Sequence, residues 1–186
     1  AKGSGMIHPN MGTMLVYIFI EANLSKIILR KLLNNNLENT FNSITTDGDT
    51  STSDTLAIFS IDRKNINLTN SNFKKINNSL FSLMEDLSLK VVKDGEGLTK
   101  LIKVNILKSK SKKQAKNVGF AIANSPLVKT AISGEDSNWG RVVAAIGKSQ
   151  EKINQNNIKI YFGENLVCKN GSIYNKINNE KLKKYM

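Results

Sequence analysis

The longest uninterrupted apolar run in this chain, Met14 to Ile20, is only seven residues long. A membrane-spanning helix needs about 20, so the run suits a short strand inside a water-surrounded core. Its Val, Ile, Tyr and Phe favour extended backbone. An unbroken apolar stretch of this length reads as a strand buried on both faces. No charged, apolar and small-residue leader precedes it. The expectation is a soluble, cytoplasmic protein with no membrane association.

Around this strand the hydrophobic spacing switches between periods of two and 3.6. Ser25 is placed to cap a helix whose apolar face is Ile28, Leu29, Leu32, Leu33, Leu37 and Phe41. Thr46 to Asp54 is loop chemistry of Asp, Gly, Ser and Thr, and Thr55 to Ile61 reads as a strand. Phe73, Ile76, Leu80, Phe81, Met84 and Leu87 share one face of a helix over 72–87. Leu101 to Leu107 alternates Lys103 and Asn105 with Ile102, Val104 and Ile106, the pattern of a strand with one wet face. Helices follow at 112–123 and 139–147, then strands at 158–162 and 165–168. A Lys169-Asn170-Gly171 turn leads back through Ser172. The predicted class is α/β or α+β, with helices packed on mixed sheets. At 186 residues it makes one compact domain or at most two small ones.

Composition removes several functions. One cysteine, Cys168, cannot close an internal disulfide, and with the single His8 it cannot complete a Cys/His zinc site. The charge of +12 invites a nucleic-acid reading. It rests, however, on 24 Lys and only Arg30, Arg63 and Arg141, beside 25 Asn. Lys, Asn and Ile share A/T-rich codons, whereas phosphate and guanine readers favour the bidentate guanidinium. The densest run, Lys108 to Lys116, holds five lysines and no aromatic residue. No nucleic-acid partner is expected, and a lysine-rich binding domain is the bland alternative.

Three polar segments could carry chemistry. In the first, AKGSGMIHPNMGTML (1–15), Gly12 and Thr13 stand at the head of the buried strand. Glycine tolerates strained backbone, and a hydroxyl there could attack its own preceding carbonyl; equally, the pair could simply start a strand. In the second, VKDGEGLTK (92–100), Glu96 lies between two glycines, where it could meet a substrate ammonium or merely form an exposed turn. The third, GEDSNWGR (134–141), holds the lone Trp139, suited to core packing, and Asp136 or Ser137 as a helix cap. Asp47 to Ser51 resembles the opening of a calcium loop but lacks the later glycine and bidentate glutamate. His8 has no nucleophile and acid to pair with by sequence. No metal site is expected.

Taken in order, AKGSGMIHPNMGTML, TTDGDTSTSDT, VKDGEGLTK and GEDSNWGRVVAAIG resemble the ornithine acetyltransferase (glutamate N-acetyltransferase) family of arginine biosynthesis. The likeness runs from Ala1 to about Gly171, and four ordered blocks are far more specific than any one. It implies a precursor that cleaves itself between Gly12 and Thr13, so that 1–12 ends an α chain and 13–186 forms most of a β chain. Members commonly have Ala before the Thr, so Gly12 is a mild departure. It further implies acetyl transfer from N2-acetylornithine to glutamate through an acetyl-Thr13 intermediate, with Lys2, Thr13 and Glu96 contacting substrate.

By the same resemblance the enzyme needs no cofactor, with acetyl-CoA open as a further acetyl donor, and assembles with its α chain as an α2β2 heterotetramer. The chain's ends, at Ala1 and at a Lys/Asn-rich stretch before Met186, predict a piece of a longer protein. The piece would lack the oxyanion-hole Thr-Gly and the C-terminal Asn and Thr/Ser contacts, and so be inactive alone. A self-cleaving aminopeptidase of related fold is the other enzymatic alternative.

Overall fold

The computed structural model describes residues 1, 7, 14–49, 54–61 and 65–186. The chain forms two compact units, Ala1–Leu98 and Thr99–Met186.

In the first unit, β1 (Leu15–Ile20) pairs in parallel with β2 (Thr55–Ser60), in register from Leu15 opposite Thr55 to Ile20 opposite Ser60. Parallel neighbours need a crossover, and α1 (Lys26–Leu37) with a short 3-10 turn at Phe41–Ser43 supplies it. Ser25 caps α1 as the sequence predicts, its hydroxyl accepting from the Ile28 N–H. The second helix, α2 (Asn70–Lys93), starts at a Thr69 cap and runs six residues beyond the expected end. Its buried stripe continues through Met84, Ser88 and Val91. Ser88 looks polar in sequence, but its hydroxyl donates to the Glu85 carbonyl within the helix, so burying it leaves no unmet donor.

The core of this unit joins Val16, Ile18, Leu32, Phe41, Leu80, Met84 and Val91. Strand β1 departs from the expectation of burial on both faces. Val16 and Ile18 point into the core, whereas Leu15, Tyr17 and Phe19 on the other face are exposed by 37%, 52% and 62%. An apolar run permits two buried faces, but among the described residues only the face toward α1 and α2 is covered. On the open face Phe19 stacks on Phe59 of β2 at 5.1 Å between centroids.

The second unit holds α3 (Lys112–Ala123), α4 (Pro126–Ser133) and α5 (Trp139–Lys148), then β3 (Lys159–Phe162), β4 (Asn165–Lys169), β5 (Ser172–Ile173) and α6 (Asn179–Tyr185). The three strands form an antiparallel sheet in sequence order. Asn170 and Gly171 both take positive φ, 54° and 73°, the conformation of a primed hairpin turn. Val118, Ile122, Val142, Ile160, Val167 and Cys168 lie in the core.

Two sequence expectations need correction in this unit. Leu101–Leu107 keeps its predicted alternation, with Ile102, Val104 and Ile106 half-buried, yet it joins no ladder among the described residues. Its apolar face is satisfied by helix packing: Ile106 lies against Gly119 of α3, where a Cβ would come within 3.7 Å of it. Helix α4 is absent from the sequence expectation, although Ser125 caps it and Pro126 opens it, the usual pairing of cap and N1 proline. One parallel and one antiparallel sheet with covering helices make up the α/β composition expected.

Candidate active site

Sequence-distant segments meet at the head of β1. Met14, just before the strand, is 8% exposed. Its N–H donates to Asp54 Oδ1 at 2.6 Å, and its carbonyl accepts the Thr55 N–H at 2.8 Å. Parallel pairing of β1 with β2 makes this possible, because it brings the starts of the two strands side by side. Burial pushes the Asp54 carboxyl up from the ordinary range, while the Met14 N–H opposes that by favouring the ionised form.

The same loop grips the chain a second time. Ile7, 4% exposed, donates its N–H to Asp47 Oδ1 at 3.2 Å. Its carbonyl accepts from the Thr46 N–H and from the Thr45 hydroxyl, both at 2.9 Å. The Asp47 carboxylate also accepts the Asp49 N–H at 3.0 Å, a local turn contact. The segment that looks like a calcium loop in sequence thus spends Asp47 on the backbone. Among the described residues no cluster of three or more His, Cys, Asp or Glu is placed to hold a metal.

Glu96 sits, exposed, in the turn that follows α2. The glycines around it are there for different reasons. A Cβ at Gly95 would stand 3.2 Å from the Val92 carbonyl oxygen and 4.0 Å from the Thr46 methyl, so this turn lies against the loop that holds Ile7. Gly97 takes φ +69°, a conformation that side chains disfavour. Parts of three of the four sequence blocks, around Ile7 and Met14, Thr46 and Gly95, therefore lie in the first unit.

The fourth belongs to the other unit and serves its packing. Asn138, and not the expected Asp136 or Ser137, caps α5 by accepting the Arg141 N–H at 3.2 Å. Asp136 instead takes the Asn138 amide at 3.1 Å, steadying the cap. Arg141 ties α5 to α4 through the Leu127 carbonyl and the Thr130 hydroxyl, each at 3.0 Å. Trp139 packs against the core as anticipated.

Lys2, His8, Gly12 and Thr13 lie outside the described residues. Asp54 is the residue that sequence reading passed over. Its only signal is position: an acidic residue directly before β2, whose partner strand β1 starts two residues after Thr13 in the sequence.

A model of the ArgJ family matches residues 1–186. The chain belongs to the ArgJ family. It is 42% identical over 190 residues to the arginine biosynthesis bifunctional protein ArgJ of Bartonella henselae, covering 100% of this chain and 46% of that protein. To the ArgJ protein of Ruegeria pomeroyi it is 46% identical over 187 residues, covering 100% and 45%. The crystal structure of the arginine biosynthesis bifunctional protein ArgJ from Bacillus halodurans superposes with a TM-score of 0.83 at 34% identity, over 93% of this chain and 82% of that one. The chain spans about half the length of the curated ArgJ relatives it matches. No helix among the described residues is long and apolar enough to cross a membrane.

Proposed function

We propose that this chain carries the nucleophile of an acetyltransferase that moves an acetyl group from N2-acetylornithine to glutamate in arginine biosynthesis. The observation that supports it most is the ArgJ family match along all 186 residues, which takes in all four sequence blocks. It favours acetyl transfer over the aminopeptidase and the lysine-rich binding domain.

The chemistry needs Thr13 at a chain start. Cleavage of the Gly12–Thr13 bond frees an α-amine whose ordinary pKa is about 8. That amine takes the proton of its own hydroxyl as Oγ attacks the acetyl carbonyl of N2-acetylornithine. Collapse of the tetrahedral adduct breaks the C–N bond. The proton passes to the leaving ornithine amine, and an acetyl ester stays on Thr13. Glutamate's amine attacks that ester, restores the hydroxyl and leaves as N-acetylglutamate. Lys2 would pair with a substrate carboxylate and Glu96 with the ornithine ammonium.

The oxyanion hole would come from the part of the relatives that lies beyond this chain's match, so the working enzyme is this chain with that half, as an α2β2 assembly in the cytoplasm. Removing an oxyanion donor costs about 10²- to 10³-fold in rate, so 13–186 alone should turn over poorly. No cofactor enters this scheme, and acetyl-CoA would be a second acetyl donor.

The test is brief incubation of the two-part enzyme with N2-acetylornithine and no glutamate. A β chain starting at Thr13 should gain one acetyl mass in its first peptide. Thr13→Ala should remain uncut and unlabelled. An intact, active wild-type chain would overturn the reading.

A further inference from the structure

We propose that Asp54 is a positioning residue for the nucleophile, holding the peptide group directly after Thr13 and so aiming the Thr13 amine and hydroxyl. The inference rests on the reading of Thr13 given above.

The argument is covalent and geometric. The N–H that Asp54 Oδ1 accepts at 2.6 Å belongs to the peptide group that joins Met14 to residue 13. A peptide group is planar, so orienting that N–H orients the whole group, to which the residue-13 Cα belongs. The α-amine and the hydroxyl-bearing side chain both branch from that Cα, so only ψ and χ1 of residue 13 are left to set.

The other side of Met14 is fixed as well. Its carbonyl accepts the Thr55 N–H at 2.8 Å, and its side chain is buried. Consecutive residues of one strand start thus hold Met14 front and back. A hydrogen bond from an amide to a carboxylate is shorter and stronger than one between neutral groups, which suits a group that must hold one orientation. Asp54 is an exposed residue, so the desolvation that opposes its charged form is only partial and the Met14 N–H favours the carboxylate.

The alternative is a clasp that only stabilises the fold. Three variants in the full two-part enzyme separate the two roles, with kcat referred to sites that can be acetylated and Tm measured alongside. Asp54→Glu keeps the charge and the acceptor but displaces them by one methylene. A misplacement of about 1 Å can cost roughly 100-fold in rate, so kcat should fall about 10- to 100-fold, with KM for N2-acetylornithine within about twofold and little change in Tm. Asp54→Asn leaves an acceptor oxygen in place and should keep kcat within about threefold of wild type. Asp54→Ala should lose kcat at least as far as Asp54→Glu. If the alanine variant does not fold, the other two still decide.

Wild-type kcat in Asp54→Glu would overturn the proposal. So would losses in all variants that merely follow Tm. Acetyl labelling of wild type, read in the same experiment, reports separately on Thr13: an unlabelled wild type refutes the nucleophile, whereas a labelled wild type with a fully active Asp54→Glu refutes only the role of Asp54.

Discussion

Strand β1 offers a sharp test of the packing, because neighbouring residues on it face opposite surroundings. Val16 has no exposure at all, whereas Tyr17 is 52% exposed. Val16→Ala removes two methyl groups' worth of burial, about 1.6 kcal/mol at roughly 0.8 each. The unfilled space in this core adds a cavity contribution, for a total of roughly 2–3 kcal/mol. Tyr17→Thr exchanges one strand-favouring residue for another and gives up only a half-exposed ring, so it should cost less than about 1 kcal/mol. Fluorescence is the wrong assay, since the only tryptophan, Trp139, lies in the other unit. Hydrogen exchange read on peptides covering β1 measures the opening of this unit directly. Val16→Ala should speed exchange there by roughly 30- to 150-fold, with Tyr17→Thr several-fold at most. Equal effects of the two substitutions, or the reverse order, would refute the assignment of the faces.

Three further outcomes follow from particular contacts. Asn36, 2% exposed, donates to the Leu32 carbonyl at 2.7 Å and to Asn77 Oδ1 of α2 at 3.3 Å; Asn36→Ala should destabilise by about 1–3 kcal/mol in urea unfolding. Cys168 is fully buried and its thiol pKa is raised by that burial against a weaker opposing hydrogen bond from the Gly171 backbone. A raised acid pKa in the folded state means the stability it contributes is present below the ordinary thiol pKa and lost as pH rises through the folded value. Wild type should therefore weaken above about pH 8.5 more than Cys168→Ala does in a Tm-against-pH series, and a thiol reagent should react only with unfolded chain. In the two-part enzyme Glu96→Gln should lower kcat/KM for N2-acetylornithine by about 1.5–3 kcal/mol, the worth of a charged hydrogen bond, while an unchanged value would leave Glu96 as a turn residue.

Local signals carried much of the fold. Ser25 before an apolar period of 3.6, and Asn170-Gly171 between two short strands, were legible because cap and turn chemistry act within a few residues. Coverage and pairing were not legible. Whether Tyr17 and Phe19 are buried depends on what lies over them, and whether 101–107 forms a ladder depends on a partner strand, neither of which local sequence states. For the site, the sequence pointed to Glu96 and its glycines but not to Asp54, whose significance comes from parallel pairing across some 40 residues.

That pairing also bears on how a cut enzyme would stay together. Ile7 lies before the proposed Gly12–Thr13 cleavage site and Met14 after it, so cleavage would place them on separate chains. Both are held by the loop that runs into β2: Ile7 through Thr45, Thr46 and Asp47, and Met14 through Asp54 and Thr55. The Ile7 side chain is also buried in the core formed by β1, α1 and α2. Breaking one peptide bond between them removes none of these contacts. The loop would thus do what the covalent link does before cleavage, holding Ile7 on one chain and Met14 on the other.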